Sequence, residues 1–473
     1  MTKSERSQTE YDVIVAGAGP TGICAAIAAG RMGARTLLLE RFPFPGGEAV
    51  TALNLHGWHD NSERHIIHGI PWEIVLRLKE LNAAAECRFT DPANPDRVPR
   101  MTRDLSIDRE AFIYVVLDML ETAGVDMLFH TFVSDVVKNG EAVCGLALTN
   151  KAGTEQVRGK IIVDATGDGD VAAGAGASFE KGRDLDGTMQ PVSMMSTFGG
   201  VDIERAVAYL NCRRAEVIDA DVSKVSRYMH FSLPLNEWSD DIKRCFPEIA
   251  PFSKFTGNAF HKGMVNGTTQ AHIAHIDATN PDDLSRAEVL GRKIVFRLAE
   301  FMRERIPGFE HCFLLRTAPH VGVRETRRVL GDYYLTYDDV LSGRRFDDVV
   351  VLGGFFVDIH NYEGTSESYA PERGVFIKDQ GSYDIPFRCF LPRGIENLLV
   401  AGRCLSASHE AHASARVMGT CMGMGHAVGT AAAMAAQAGR TPRELDVQKM
   451  QQELLRQGAY LGAREVVSPG SAD

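Results

Sequence analysis

His360 closes the string Gly353-Gly354-Phe-Phe-Val-Asp358-Ile-His360-Asn-Tyr362, in which polar groups follow the apolar run Asp348–Leu352 and gather at the mouth of a strand. An imidazole there titrates near neutral pH and can act as a general acid or base. His409, in Ser408-His409-Glu410, is a second candidate for that role, and His412 is its rival. Arg324, grouped with Arg327 and Arg328 beside Glu325, and Arg416 offer forked donors suited to an anionic, strongly hydrogen-bonding substrate. The alternative for such an arginine run is a solvated charged face. Ser408-His409-Glu410 is not a hydrolase triad, because triad residues are rarely adjacent in sequence and no G-x-S-x-G is present. His56, His59, His65 and His68 cluster near Trp58 and Trp72, but no carboxylate or cysteine stands at ligand spacing, so no metal site is expected.

The elements that must position these groups begin at Tyr11–Arg41, YDVIVAGAGPTGICAAIAAGRMGARTLLLER. Asp12–Ala16 is a short apolar run of the kind buried on both faces of a parallel sheet. Gly17-Ala-Gly19-Pro-Thr-Gly22 then turns the chain into a small-residue helix, Ile23–Met32. The first glycine allows the tight turn, the second a close approach to a pyrophosphate, and the third close packing of helix on strand. The positive end of the helix faces the phosphates. A second strand, Arg35–Leu39, ends in Glu40, whose carboxylate can take a ribose hydroxyl. Together these residues indicate dinucleotide binding. The loop Arg41-Phe-Pro-Phe-Pro-Gly46-Gly47 follows, with paired glycines that let backbone approach a ligand.

The chain has 473 residues, 44% hydrophobic and 24% charged, as in a soluble globular protein of two domains or one large capped domain. A formal net charge of −11 argues against nucleic acid or an anionic membrane as partner. Nine cysteines without a CxxC pair point to reduced thiols and a cytoplasmic location. The first ten residues are polar and read as a frayed tail. Val417–Ala438 is uncharged and long enough to span a bilayer, but its Gly, Ala and Thr content and His426 mark a tightly packed soluble helix. Its glycines at 419, 423, 425 and 429 cost roughly 1 kcal/mol each against alanine, which calls for close packing against the cofactor and the first helix.

Further elements are legible along the way. Pro71–Leu81 reads as a helix and Asp91–Arg100 as a loop, and Ser106 and Asp108 are candidate caps for a helix through Phe112, Val115, Val116, Met119 and Leu120. Asp126–Phe129 reads as a strand, and Thr131–Val133 opens a hairpin turning at Asn139-Gly140. A further strand ends in Asp164-Ala-Thr-Gly167-Asp168. Asn280-Pro281 starts a helix whose apolar face runs through Ile294, Leu298, Phe301 and Met302. Cys212, Trp238 and Cys245 sit in segments of mixed pattern, with loops drawn through Pro191, Pro234, Pro251 and Gly257. Ile395–Ala401 is the last clear strand, and Gln448–Gln457 a peripheral helix.

GAGPTG, the acid after the second strand, DATGD and Ala401-Gly-Arg403 resemble FAD-dependent oxidoreductases of the two-domain glutathione reductase and fumarate reductase type. Gly46-Gly47 with Thr51, Val321-Gly-Val-Arg-Glu-Thr-Arg-Arg328, Asp384-Ile-Pro-Phe-Arg-Cys-Phe, the stretch from Leu399 to Ala411 and Ala415–Gly425 are similar to the broad bacterial FAD-dependent oxidoreductase family. The resemblance covers nearly the whole chain and implies cofactor and fold better than substrate. It implies an α/β architecture: a Rossmann-like FAD-binding domain built from both chain ends, 11–177 and 376–465, with an inserted α+β substrate domain over 178–375. Carried over, Gly17, Gly19 and Gly22 take the pyrophosphate, Glu40 the ribose and Arg41 the adenosine side. The segment with Val133 runs past the adenine, Gly47 approaches the flavin, Gly167 and Asp168 the diphosphate, and Gly402 with Arg403 the ribityl side. Gly419 and Thr420, at the start of the Val417 helix, stand by the flavin N1 and C2 oxygen, where a helix N-terminus stabilises the reduced ring.

The function expected is an FAD oxidoreductase that dehydrogenates or reduces a small polar substrate by hydride transfer, with a separate redox partner as a second possible electron source. An FAD monooxygenase or halogenase is the alternative, and an RNA-modifying flavoprotein a third reading that the acidic balance opposes. A dedicated NAD(P)H domain would need a second GxGxxG. Gly174-Ala-Gly176-Ala-Ser-Phe179 lacks the third glycine, and Gly353-Gly354 is followed by Phe355 and Phe356.

Overall fold

The structure is a computed structural model that describes residues 9–87, 104–212, 216–219, 229–234, 239–247, 254–259, 261, 263–267, 272–360, 377–378 and 381–462. The Asp91–Arg100 loop, Trp238, Pro251 and the Asn361-Tyr362 end of the histidine string lie outside the described residues, as do the first eight residues of the expected tail. Glu10, also expected in that tail, pairs in register with Arg158.

The chain opens with β1 (Glu10–Ala16), α1 (Pro20–Arg31), β2 (Thr36–Leu39) and the short α2 (Ala49–Ala52). Later come α3 (Arg109–Thr122), β3 (Asp126–Leu128), β4 (Phe132–Asn139), β5 (Ala142–Asn150) and β6 (Gly153–Asp164). Strand β1 is hydrophobic on both faces because both are covered: Val13 and Val15 pack toward α1, Ile14 and Ala16 into a second cluster across the sheet. β1 runs parallel to β2 and β6, and β2 parallel to β3. β5 pairs antiparallel with β6, and β4 with β5 around Gly140, which adopts a φ of 64° in the turn.

The second sheet holds β7 (Ser196–Gly199), β8 (Glu216–Asp219), β9 (Met229–Pro234), β10 (Lys254–Ala259) and β11 (Val265–Gly267). After α4 (Pro281–Arg305), β12 (Phe313–Thr317) completes an antiparallel order β8-β9-β10-β11-β7-β12. Asn280 caps α4 by accepting from Asp282 N at 2.9 Å and Asp283 N at 3.3 Å. Its buried face, Ile294, Leu298, Phe301 and Met302, shares a separate core with Phe198 and Val265. Asp108 alone caps α3, accepting from Ala111 N at 2.9 Å, whereas Ser106, the other expected cap, lies in a strand over Asp104–Ile107.

The chain then returns to the first sheet. β13 (Val349–Gly353) pairs with β14 (Tyr383–Pro386), β15 (Leu398–Val400) runs parallel to β6, and α5 (His409–Ala415), α6 (Met418–Ala438) and α7 (Val447–Arg456) follow. Leu335, Val340 and Val349–Leu352, expected in the inserted portion, contribute to the core shared with α1 and α6. The α6 glycines divide their packing. A Cβ on Gly425 would meet Thr21 O at 2.0 Å and one on Gly429 would meet Ala25 O at 2.2 Å, both on α1. Gly423 instead abuts Val351 and Gly419 the carbonyl of His56. Among the described residues, no helix is long and apolar enough to cross a membrane.

Candidate active site

The carboxyl ends of β1, β2, β6 and β15 lie side by side and bring four glycine-bearing turns to one edge of the sheet. Gly17 has a φ of 97°, and a Cβ there would stand 2.5 Å from Ala165 O, so only glycine fits. A Cβ on Gly22 would meet Gly17 O at 1.8 Å, which makes it the glycine of helix–turn packing. Gly19 differs: nothing lies within 4 Å of its virtual Cβ. It is the N-cap of α1, with no side-chain cap and no acid in the first turn, so the bare helix N-terminus faces that space. Such a cradle fits a dinucleotide pyrophosphate.

Around it, Glu40 is buried, and its carboxylate accepts from Ala18 N at 2.7 Å and Phe42 N at 2.9 Å, tying the end of β2 to the glycine turn. Arg41 is exposed, with its guanidinium 5.1 Å from the Phe42 ring centroid. Thr131 N donates to Glu40 O at 3.0 Å, and the half-buried Val133 continues from there along β4. Gly46 N donates to Ala18 O at 2.8 Å, which sets Gly47, at a φ of 49°, against Gly19. Gly167 has a φ of 80° beside the Arg403 guanidinium, and Gly402 a φ of 87° beside Thr21. Asp168 accepts from Arg403 at 2.8 Å and from Thr326 Oγ1 at 2.9 Å. Burial opposes its ionisation, but Arg403 and Arg41 hold its pKa below the ordinary value. At the start of α6, next to Gly419, Thr420 is fully buried with its hydroxyl lacking a partner. Val417 supplies no side-chain cap there, and Gly419 N donates to the carbonyl of His56 at 2.8 Å.

The arginine run is not a solvated face. Arg328 is 1% exposed, pairs with Glu325 and donates to Ala407 O at 2.9 Å. Arg324 is buried too, donating to Pro191 O at 2.7 Å, Ser193 Oγ at 2.8 Å and His272 Nε2 at 3.2 Å. Burial and then Arg416 lower its pKa to about 10. Burial, reinforced by Arg324, pushes His272 well below its usual value, so its ring is neutral and Nε2 accepts.

Three of the four expected catalytic residues converge. His360 Nε2 lies 3.2 Å from Asp358 Oδ2, and Arg416 reaches the same oxygen at 3.2 Å and Asp358 O at 2.9 Å. The His360 and His272 rings meet edge to face at 5.1 Å between centroids, which brings Arg324 alongside. Burial and the Arg324 charge push His360 down to about 4, leaving a neutral imidazole at neutral pH. Burial raises the Asp358 pKa, but His360, Arg416 and Arg324 outweigh it and keep the carboxyl ionised.

His409 belongs to a different group. It is buried, and Nδ1 lies 2.9 Å from Glu325 Oε1. Burial opposes ionisation of Glu325, but His409, His412 and Arg328 together bring its pKa down to about 2. His412 Nε2 bonds Arg403 O at 2.7 Å, and burial lowers its pKa to about 3. Gln190 joins the two groups. Its backbone N donates to Glu325 Oε2 at 3.3 Å, while its side-chain oxygen accepts from His360 N at 3.2 Å and Arg416 at 3.4 Å. Those two donors fix the amide orientation and leave Gln190 Nε2, like Arg416 Nε, buried without a partner among the described residues.

The profile of a family described as FAD dependent oxidoreductase matches residues 12–454. Digeranylgeranylglycerophospholipid reductase 1 of Methanococcoides burtonii is 24% identical over 217 residues, 42% of this chain and 47% of that protein. Protein FixC of Escherichia coli K12 is 28% identical over 167 residues, 34% of this chain and 37% of its own. The chain thus spans less than half the length of these curated relatives. A geranylgeranyl bacteriochlorophyll reductase-like protein from Thermoplasma acidophilum superposes with a TM-score of 0.45 at 14% identity, over 96% of this chain and 84% of that one.

Proposed function

The chain belongs to the FAD-dependent oxidoreductase family, and from that premise we propose that it dehydrogenates or reduces a small polar, anionic substrate by hydride transfer. The observation that carries this reading is the pair of buried, unfilled donors, Gln190 Nε2 and Arg416 Nε, beside His360. A buried N–H left unpaired is costly, so an acceptor on a ligand is the partner it calls for. Bound FAD supplies hydride exchange at the flavin N5.

Gly17, Gly19, Gly22, Glu40, Arg41, Gly47, Val133, Gly167, Asp168, Gly402, Arg403, Gly419 and Thr420 are the residues assigned to hold it. His360 is the assigned acid–base group: its imidazole, neutral at neutral pH, takes a proton from the substrate in dehydrogenation, and Asp358 orients it and stabilises the cation formed. Arg416 and Arg324 are assigned to the substrate's negative charge. His409 is assigned a positioning role through Glu325 and Gln190, because its ring is enclosed in an ion-pair network.

The small-molecule substrate and a separate redox partner belong to this proposal, without nucleic acid or membrane. A cytoplasmic location does as well, supported by the free thiols of Cys24, Cys144, Cys245, Cys312, Cys389, Cys404 and Cys421. The test is anaerobic addition of small polar acids and alcohols to the holoprotein while flavin absorbance is followed. Bleaching by one of them is the expected result. Rapid oxygen consumption coupled to substrate oxygenation would instead establish the monooxygenase reading.

A further inference from the structure

A pocket lined by both polar and apolar groups opens between α2 and the antiparallel sheet, and its polar residues include Thr51, Arg109, Thr197, Asn266 and Arg316. Its polar wall is already ordered. Arg316 Nε donates to Thr197 Oγ1 at 3.3 Å, and that hydroxyl donates to Asn266 Oδ1 at 2.7 Å. Arg109 lies over Phe44, its guanidinium carbon 4.9 Å from the ring centroid, and its buried Nε has no hydrogen-bond partner.

Two guanidinium groups are therefore held at one pocket and share the Glu110 carboxylate. Glu110 approaches Arg109 at 3.1 Å and Arg316 at 3.9 Å, but its side chain is 69% exposed, where solvent screens it. Asp108 is engaged elsewhere, accepting from Ala111 N at 2.9 Å and pairing with His261 at 2.7 Å. The Arg316 pKa is lowered first by burial and then by Arg109, against the opposing pull of Glu110 and Asp108. Like charges placed together beside an unfilled buried N–H and fixed neutral polar groups form a receptor for a planar oxyanion.

We propose that this pocket binds a small free carboxylate at a site separate from the His360 centre. The two are distinct in their residues: no lining residue of this pocket belongs to the group of His360, Asp358, Arg416, Arg324 and Gln190, although its Thr51 donates to Gly47 O at 3.2 Å. The inference does not depend on hydride transfer at His360.

The test is differential labelling of the holoprotein with phenylglyoxal, with modification of Arg109 and Arg316 followed by peptide mass spectrometry. Acetate or malonate is expected to slow both several-fold relative to chloride at equal ionic strength, while exposed Arg205, paired with Glu310, reacts at an unchanged rate. Acetate should also raise the melting temperature of the native protein but not of Thr197→Val or Arg316→Gln. Equal labelling with and without carboxylate would overturn the proposal, and so would protection by phosphate alone. Should the variants fail to fold, labelling of the native protein decides.

Discussion

A side-chain carbon on Gly47 would lie 2.9 Å from the Cα of Gly19, so two glycine turns from successive loops touch with no room for a Cβ between them. One of those glycines opens onto free space and the other closes against protein. The crowding requires a glycine at position 47, whereas position 19 has room for a side chain.

Gly19→Val is the variant that exploits this. Its φ of −74° and ψ of −176° suit a β-branched residue, and its virtual Cβ meets nothing. The protein is expected to fold with an unchanged melting temperature yet lose stoichiometric FAD, read from flavin absorbance after gel filtration. Gly22→Val should instead fail to fold, since its Cβ would collide with Gly17 O. Full FAD retention by Gly19→Val would show the phosphate loop to be misassigned.

Arg416→Ala should keep FAD and lose roughly a hundredfold in kcat/KM, the scale of about 3 kcal/mol for truncating one partner of an enclosed charge pair. Arg324→Ala is expected to do the same with some loss of stability, because it also ties Pro191 to Ser193. Steady-state kinetics on the substrate found by anaerobic screening provide the measurement. Unchanged constants in both variants would remove the anion clamp.

Free NADH or NADPH is expected to reduce the flavin far more slowly than the true reductant. No second GxGxxG opens another strand–helix unit in the sequence. Stopped-flow mixing under anaerobic conditions gives the rate, and bleaching at catalytic speed by either nucleotide alone would contradict this and favour the monooxygenase reading.

The pH dependence of stability should show two windows. Burial lowers His426 from 6.5 to about 4, so as pH falls through that interval the unfolded chain takes up a proton that the native ring refuses, and stability drops. Glu325, lowered from 4.5 to about 2, contributes stability that is complete above its unfolded value and lost as pH falls toward 2, on the order of 3 kcal/mol. Urea melts across pH should show Glu325→Gln less stable at pH 7 and losing less stability than the native protein in the lower window, where His360, His412 and Asp358 still contribute. Parallel profiles for native and variant protein would contradict the assignment.

The parallel sheet and its glycine turns were legible because each signal is local: the apolar run of β1, the spacing of Gly17, Gly19 and Gly22, and an acid at the end of β2. Gln190 and His272 carried no comparable signal, since each stands alone in its segment. Thr326 lies in the Val321–Arg328 run, but its role appears only when strands far apart in sequence meet and it bridges Asp168 and Arg403. The arginine run left open a charged surface, since sequence does not reveal that Arg328 finds Glu325 and Ala407 O in the interior. His409 resembled His360 in type and context, and only the enclosed Glu325 contact distinguishes them.

The seam between α1 and α6, in which Gly425 and Gly429 nest on the carbonyls of Thr21 and Ala25, has a consequence for synthesis. At about 5–20 residues per second, roughly 20–80 s pass between translation of the two helices. Throughout that interval the small-residue face of α1 lacks its mate, and the nucleotide cradle stands on an unsealed core. Nascent chains halted before residue 418 should remain open to protease whether or not FAD is present, and resistance should begin once α6 has left the ribosome. Cofactor capture is in this way timed by the late arrival of a helix that seals the first one.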